Sequence, residues 1–176
     1  MTNANLYNTL MKRHWIEYTE KWVPSSLSYW VHIEADGSDW YNAQFFQPPL
    51  PFPVPEKGFA TFWIECDGVV FQFASLDELR ACIGTLGRKL LPTTIRLAHD
   101  RGGGIGPSRH WLSKLPLQAK PWRYREKAVK YLAKCLAEFE REILGKVRTP
   151  PASEKPIPAK RKPTKKKQLK PGRSRR

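Results

Sequence analysis

The chain is poor in sulfur, in long apolar runs and, at one end, in acid. Of 176 residues only three are cysteine and two methionine. Cys66, Cys82 and Cys135 are an odd number at long spacings, which is no disulfide framework and implies a reducing compartment. Each falls in an expected strand or helix, as a small buried hydrophobe would. The four histidines, at 14, 32, 99 and 110, form no ligand pair with one another or with the cysteines at the spacings zinc prefers. No metal and no cofactor is therefore expected. No stretch approaches 18 apolar residues, so no membrane partner is expected either. The opening MTNANLYNTLMKRHW has no uninterrupted apolar run and does not read as a signal peptide. The expected location is the cytoplasm, or the nucleus in a cell that has one. The glycine stretch at 100–107, DRGGGIGP, lacks the Gly-Lys-Ser/Thr ending of a P-loop and the GxGxxG spacing into a helix.

Acid is scarce where base is plentiful. The formal net charge is +15, from 31 Lys and Arg against 16 Asp and Glu. Residues 1–95 carry seven basic and ten acidic side chains, whereas residues 146–176 carry thirteen basic and one acidic. Such asymmetry points to a polyanionic partner. The last stretch, KVRTPPASEKPIPAKRKPTKKKQLKPGRSRR, has six prolines and no aromatic residue. It cannot bury enough surface to offset ordering entropy and is expected to be a disordered tail. The domain division expected is thus 1–145 folded and 146–176 tail, and about 145 residues suffice for one core.

Within the body, a helix is expected over residues 4–22, because Tyr7, Met11, Trp15, Tyr18 and Trp22 recur at intervals of three and four. Residues 27–34 alternate as a strand with His32 on the polar face, and residues 40–47 return as its hairpin partner. PPLPFPVP, at 48–55, removes five donors and must be an extended connection. Residues 58–74 read as two strands around Asp67-Gly68, a type I′ hairpin covered on both faces. Ser75-Leu-Asp-Glu78 is a capping box opening a helix that Gly87 would end in a left-handed cap. Residues 93–98 suggest a short strand, and Ser108 a cap for a short helix at Arg109. A long helix follows Pro121, with Trp122, Val129, Leu132, Leu136, Phe139 and Ile143 as its seam and Gly145 as its stop. The expected fold is α+β: an antiparallel sheet of about four strands in two hairpins, an N-terminal helix, a middle helix and a long C-terminal helix.

No catalytic motif appears, and the expected function is that of a non-catalytic nucleic-acid-binding accessory protein, for DNA or RNA, within a larger protein or ribonucleoprotein assembly. Arginine interleaved with aromatic side chains supplies charge for phosphates and planar faces for bases. The candidate surface is Arg101, Arg109, His110, Trp111, Lys114, Lys120, Arg123, Tyr124, Arg125 and Lys127, with Arg123 and Arg125 exposed. In the tail it is Lys160, Arg161, Lys162, Lys165, Lys166 and Lys167, which hold phosphates without reading sequence. The long helix begins basic and ends acidic, the reverse of what its dipole favours, which points to an external anion at its start. A second reading is a protein-interaction adaptor or inhibitor, docking through the N-terminal aromatics and the 48–55 segment, the tail adding only attraction. A third is a small His-dependent nuclease around His110, which requires an oriented partner in the same pocket.

Overall fold

The computed structural model of the chain describes residues 12–36, 38, 40–100 and 110–147, and of 98–100, 144, 146 and 147 the backbone only. The expectations for residues 4–11, for Arg101 to Arg109 with its glycine stretch, and for the tail fall outside the described residues.

Two β-rich runs around Asp67-Gly68 form the central hairpin, β4 (Phe59–Cys66) and β5 (Val69–Phe73) in the numbering used below. Asp67 has φ 50° and Gly68 φ 80°, the two positive values that a type I′ turn requires. The register runs from Cys66 opposite Val69 to Phe62 opposite Phe73. A third strand, β1 (Lys12–Thr19), pairs antiparallel with the other edge of β4, Lys12 opposite Cys66 and Thr19 opposite Phe59. The sheet order is β1-β4-β5. Gly58 sits where the chain enters β4. Its φ is 87°, and an added Cβ would stand 2.3 Å from the Thr19 carbonyl oxygen, so only glycine fits without displacing backbone.

β1 corrects the helix expected over 4–22. Trp15, Tyr18 and Trp22 do have helical spacing, but His14, Ile16 and Tyr18 also alternate with Arg13, Trp15 and Glu17. Eight rungs of pairing to β4 select the period of two.

Before the hairpin, residues 27–34 hold one turn of helix, α1 (Ser28–Val31), where a strand was expected. Only β2 (Ile33–Glu34) is extended, and it pairs with β3 (Phe46–Gln47). The sheets thus have three and two strands, not four in one sheet. Between β3 and β4 the proline segment forms only an isolated bridge, Val54 with Gly58.

After the hairpin, Ser75 caps α2 (Leu76–Leu86), its hydroxyl accepting the Glu78 N–H at 3.1 Å. Gly87 has φ −73°, so the expected left-handed cap is absent. Residues expected as a strand form α3 (Thr94–Asp100). Single 3-10 turns follow at Trp111–Lys114 and Leu117–Ala119, and α4 (Trp122–Val147) runs through Gly145.

One layer of helices packs on one face of the sheet. Phe62, Ile64, Cys66, Phe71 and Phe73 of the sheet meet Leu79, Cys82 and Leu86 of α2 and Leu132, Cys135 and Phe139 of α4, all buried. Val129, Leu136 and Ile143 extend the α4 seam at its margin. The three cysteines are buried and unpaired. Among the described residues no helix is long and apolar enough to cross a membrane. The fold is α+β with antiparallel sheets and a long C-terminal helix.

Candidate functional site

α4 lies along the inner face of the sheet, which fixes which charges gather at which end. Tyr124, in its first turn, donates its hydroxyl to the Cys66 carbonyl at 2.8 Å, at the end of β4. Farther along, the Lys12 ammonium lies 5.6 Å from the Tyr131 ring centroid. Beyond that, His14 Nε2 is 2.8 Å from Glu138, and Phe139 packs on Phe62 with centroids 5.0 Å apart. The start of α4, the start of β1 and the β4–β5 turn therefore share one end of the molecule.

A buried arginine adds the end of α2 to the same place. Arg125, expected on the surface, is only 3% exposed. Its guanidinium donates to the carbonyls of Leu86 (2.7 Å), Arg88 (2.6 Å), Lys89 (3.1 Å) and Lys120 (2.8 Å) and lies 5.2 Å from the Trp122 ring. A helix leaves its last carbonyls without intrahelical donors, and a forked cation satisfies several at once. Burial pulls the Arg125 pKa down from its ordinary value, yet a guanidinium starts so high that it keeps its charge. Arg88, Lys89 and Lys120 are thereby tied by backbone to one guanidinium, and the Arg88 and Lys89 side chains are exposed. Arg123 and Lys127, four apart on α4, share its opposite side, away from Arg125 and the end of α2, so exposed cations flank the start of α4 on both sides. Among the described residues none of these five side chains forms an ion pair, whereas Lys130 pairs with Glu126 at 3.7 Å.

The other expected surface residues divide. Lys114 is exposed and Lys120 half-buried. His110 and Trp111 are inside, at 4% and 7% exposure. His110 Nδ1 accepts the Leu112 N–H at 3.1 Å, capping the first 3-10 turn, and its ring packs 4.4 Å from that of Trp30. His110 is thus the cap of that turn, and the expected Ser108 cap lies outside the described residues. Tyr124 spends its hydroxyl on the sheet. Among the described residues of the basic-aromatic alternation, His110, Trp111, Tyr124 and Arg125 are therefore anchors, while Lys114, Arg123 and Lys127 are exposed. Arg88 and Lys89 were missed because nothing local in the sequence reveals that α2 ends against α4.

The outward face of the sheet carries a second group that sequence reasoning did not find. Trp15 and Trp63 are opposite one another in the β1–β4 register, their rings 7° from parallel with centroids 5.9 Å apart. Glu17 accepts from both indoles, from Trp15 Nε1 at 3.0 Å and Trp63 Nε1 at 2.8 Å. The Arg13 guanidinium lies 5.3 Å from the Trp15 ring and pairs with Glu65. On β5, Gln72 stands opposite Trp63 and Val70 is 53% exposed. The described helices cover the other side of the hairpin, and on this side Thr61 is 5% exposed while Trp15 and Trp63 are half-buried.

A third group is wholly interior. His32, expected on the surface, is fully buried, with Nδ1 donating to the Pro48 carbonyl at 3.1 Å. Its Nε2 lies 3.0 Å from Ser75 Oγ and 3.5 Å from Glu78 Oε1. The buried Glu78 carboxylate accepts from the Ser25 hydroxyl, the Ser28 hydroxyl (2.5 Å) and the Ala74 N–H (2.7 Å). Burial opposes a charge on His32, but the bonds to Glu78 and Pro48 and the Glu78 charge outweigh it, so its pKa is raised. Ser75 and His32 have the separation of a nucleophile and base, but Ser75 is 5% exposed and its oxygen caps α2. The cluster ties α1 and the proline segment to the start of α2. Among the described residues, no three His, Cys, Asp or Glu side chains are grouped to hold a metal.

Searches against protein-family models, curated proteins and solved structures find no match, so any function must be argued from these three groups of side chains.

Proposed function

We propose that this is a non-catalytic nucleic-acid-binding accessory protein whose cationic end orients the phosphate backbone while the basic tail adds affinity. The observation that carries the reading is the Arg125 tie. It ties the backbone of Arg88, Lys89 and Lys120 to the start of α4, the helix that also carries Arg123 and Lys127, and none of the five side chains has an ionic partner among the described residues. Cations so arranged repel one another, and a polyanion offsets that repulsion with release of its counterions. Thirteen further cations lie in residues 146–176, so charge alone does not identify the body as the orienting surface.

The test compares two double variants of the full chain, Arg123→Ala/Lys127→Ala in the body and Lys165→Ala/Lys166→Ala in the tail. Oligonucleotide affinity is followed against salt. Removing one phosphate-neutralising cation should reduce the slope of log K against log salt by about 0.9 for duplex DNA. The body pair is expected to weaken binding more than the tail pair. Equal reductions would remove the case for an oriented surface.

The adaptor reading has one observation in its favour. Tyr41, Phe45 and Phe52, around β3 and the proline segment, are 86%, 65% and 81% exposed. A stoichiometric protein partner retained after nuclease treatment, and released by Phe52→Ser, would favour it over the first.

A further inference from the structure

We infer that the outward face of the β1-β4-β5 sheet is a stacking platform for the unpaired bases of a single-stranded nucleic acid. The inference rests on the polyanion reading above and specifies the form of nucleic acid it takes.

Arg13, Trp15 and Trp63 form a ladder across two strands, guanidinium on indole on indole, with the two rings nearly parallel. Trp63 has no ring partner among the described residues except Trp15. The ladder therefore stops at an indole, next to the amide of Gln72 and the short side chain of Val70 on β5. Both indoles are half-buried on the outward side of the sheet and stand outside the hydrophobic core. These two are nevertheless fixed, because the one Glu17 carboxylate takes both N–H groups. Orientation set before binding removes an ordering cost that a ligand would otherwise meet. A planar ring added beyond Trp63 continues the ladder, and a neighbouring amide suits the edge of a base.

Charge decides between a base and other planar groups. The platform itself carries Arg13 against Glu17 and Glu65, so it does not attract phosphate. Phosphate is attracted next to it. Lys12 and Arg13 begin β1 at the end where Tyr124 binds Cys66 and where Arg123 and Lys127 project. A strand with its backbone along that cationic end places its bases over the sheet. Duplex buries its base faces in its own stack and cannot use the platform, so single strands should be preferred.

The experiment uses the full chain, a labelled 15-residue oligothymidylate and a duplex of the same length, read by anisotropy at one salt concentration. Trp63→Ala should weaken single-strand affinity roughly fivefold to a hundredfold, the range for one stacked base, with duplex affinity unchanged. Trp63→Phe should restore most of it. Ultraviolet cross-linking of the parent protein to oligothymidylate should place the adduct in the tryptic peptide at 58–80, a readout independent of whether the variants fold. Equal weakening for both forms, unchanged single-strand affinity, or an adduct elsewhere would overturn the platform and leave polyanion binding standing. A shift in oligomeric state with unchanged affinity in Trp63→Ala would instead give the face to a second copy. Absence of binding to both forms at low salt would mean that the polyanion reading itself has failed.

Discussion

Arg125 separates an anchor from a ligand-binding group, and the two roles predict different outcomes for one substitution. Arg125→Met keeps the length of the side chain and removes all four hydrogen bonds. Only the bond to the Leu86 carbonyl is fully buried. Without it an acceptor is stranded away from water, at a cost of about 1–3 kcal/mol. The carbonyls of Arg88, Lys89 and Lys120 are part-buried and can turn to solvent, which limits their combined cost to about 1–2 kcal/mol. Removing the cation from the carbonyl end of α2 adds about 0.5 kcal/mol. The expected destabilisation is about 3–5 kcal/mol, a large share of the roughly 5–15 kcal/mol that holds a domain folded. Thermal unfolding of the full chain, followed by circular dichroism, should show a midpoint lower by roughly 6–20 °C. Arg125→Lys, which keeps the charge but not the fork, should fall between parent and Met variant. A Met variant within about 1 kcal/mol of the parent would refute the anchor. So would an unchanged midpoint with reduced oligonucleotide affinity, since the guanidinium would then be reaching the ligand.

Two further outcomes follow from the interior. Because the folded-state pKa of His32 is raised, the folded chain binds that proton more tightly than the unfolded chain does. Its stabilisation is fully present below about pH 6.5 and lost as pH rises through the folded value. Urea midpoints at pH 5.5 and 8 should therefore differ more for the parent than for His32→Gln; an equal difference in both would remove His32 as the titrating group. Gly58→Ala drives a Cβ into the Thr19 carbonyl at positive φ, whereas Gly68→Ala meets positive φ alone, with nothing within 4 Å. The first should cost about 2–3 kcal/mol and the second about 1 kcal/mol by thermal unfolding, and the reverse order would contradict the close approach at β1.

What could be read from the sequence was what neighbouring residues decide. Asp67-Gly68 between β-branched and aromatic runs, Ser75 three residues before Glu78, and the seam of the last helix each carry a local signal, and each stands in the structure, except that Trp122, expected to open the seam, is outside the core and lies against Arg125. The failures share one cause, a distant partner. Residues 12–19 satisfy both helical and strand periods, and the free edge of β4 chose between them. His32 looked polar-facing because its partners, Pro48, Ser75 and Glu78, lie 16 to 46 residues away. Arg125 looked exposed because an arginine beside Trp122 and Tyr124 is the same string of letters whether it meets phosphate or four carbonyls. Trp15 was placed on one face of a helix, which hid its alignment with Trp63.

The charge order of α4 connects these errors to the function proposed. Of the basic run Arg123, Arg125, Lys127 and Lys130, the first two lie in the opening turn of α4 and oppose its dipole at about 0.3–1 kcal/mol each, while Glu138, Glu140 and Glu142 stand short of its last turn. The fold resolves part of that misfit. Arg125 leaves its own helix electrostatically and serves the carbonyl end of α2, while Glu138 meets His14 and Glu140 meets Arg80. Lys130 is paired to Glu126. Arg123 and Lys127 receive no such partner within the described residues, and the same guanidinium ties the backbone of Arg88 and Lys89 to the other side of the start of α4. The unfavourable charge that remains after folding is therefore concentrated at one end, next to the strand whose outward Trp15 ring is stacked on its neighbour's Trp63. An anion bound there stabilises the folded chain by mass action, and at a hundred times its dissociation constant by about 2.7 kcal/mol. Of the unpaired cations only Arg123 lies in the first turn, and its position costs about 0.3–1 kcal/mol, which is within what such an anion would offset.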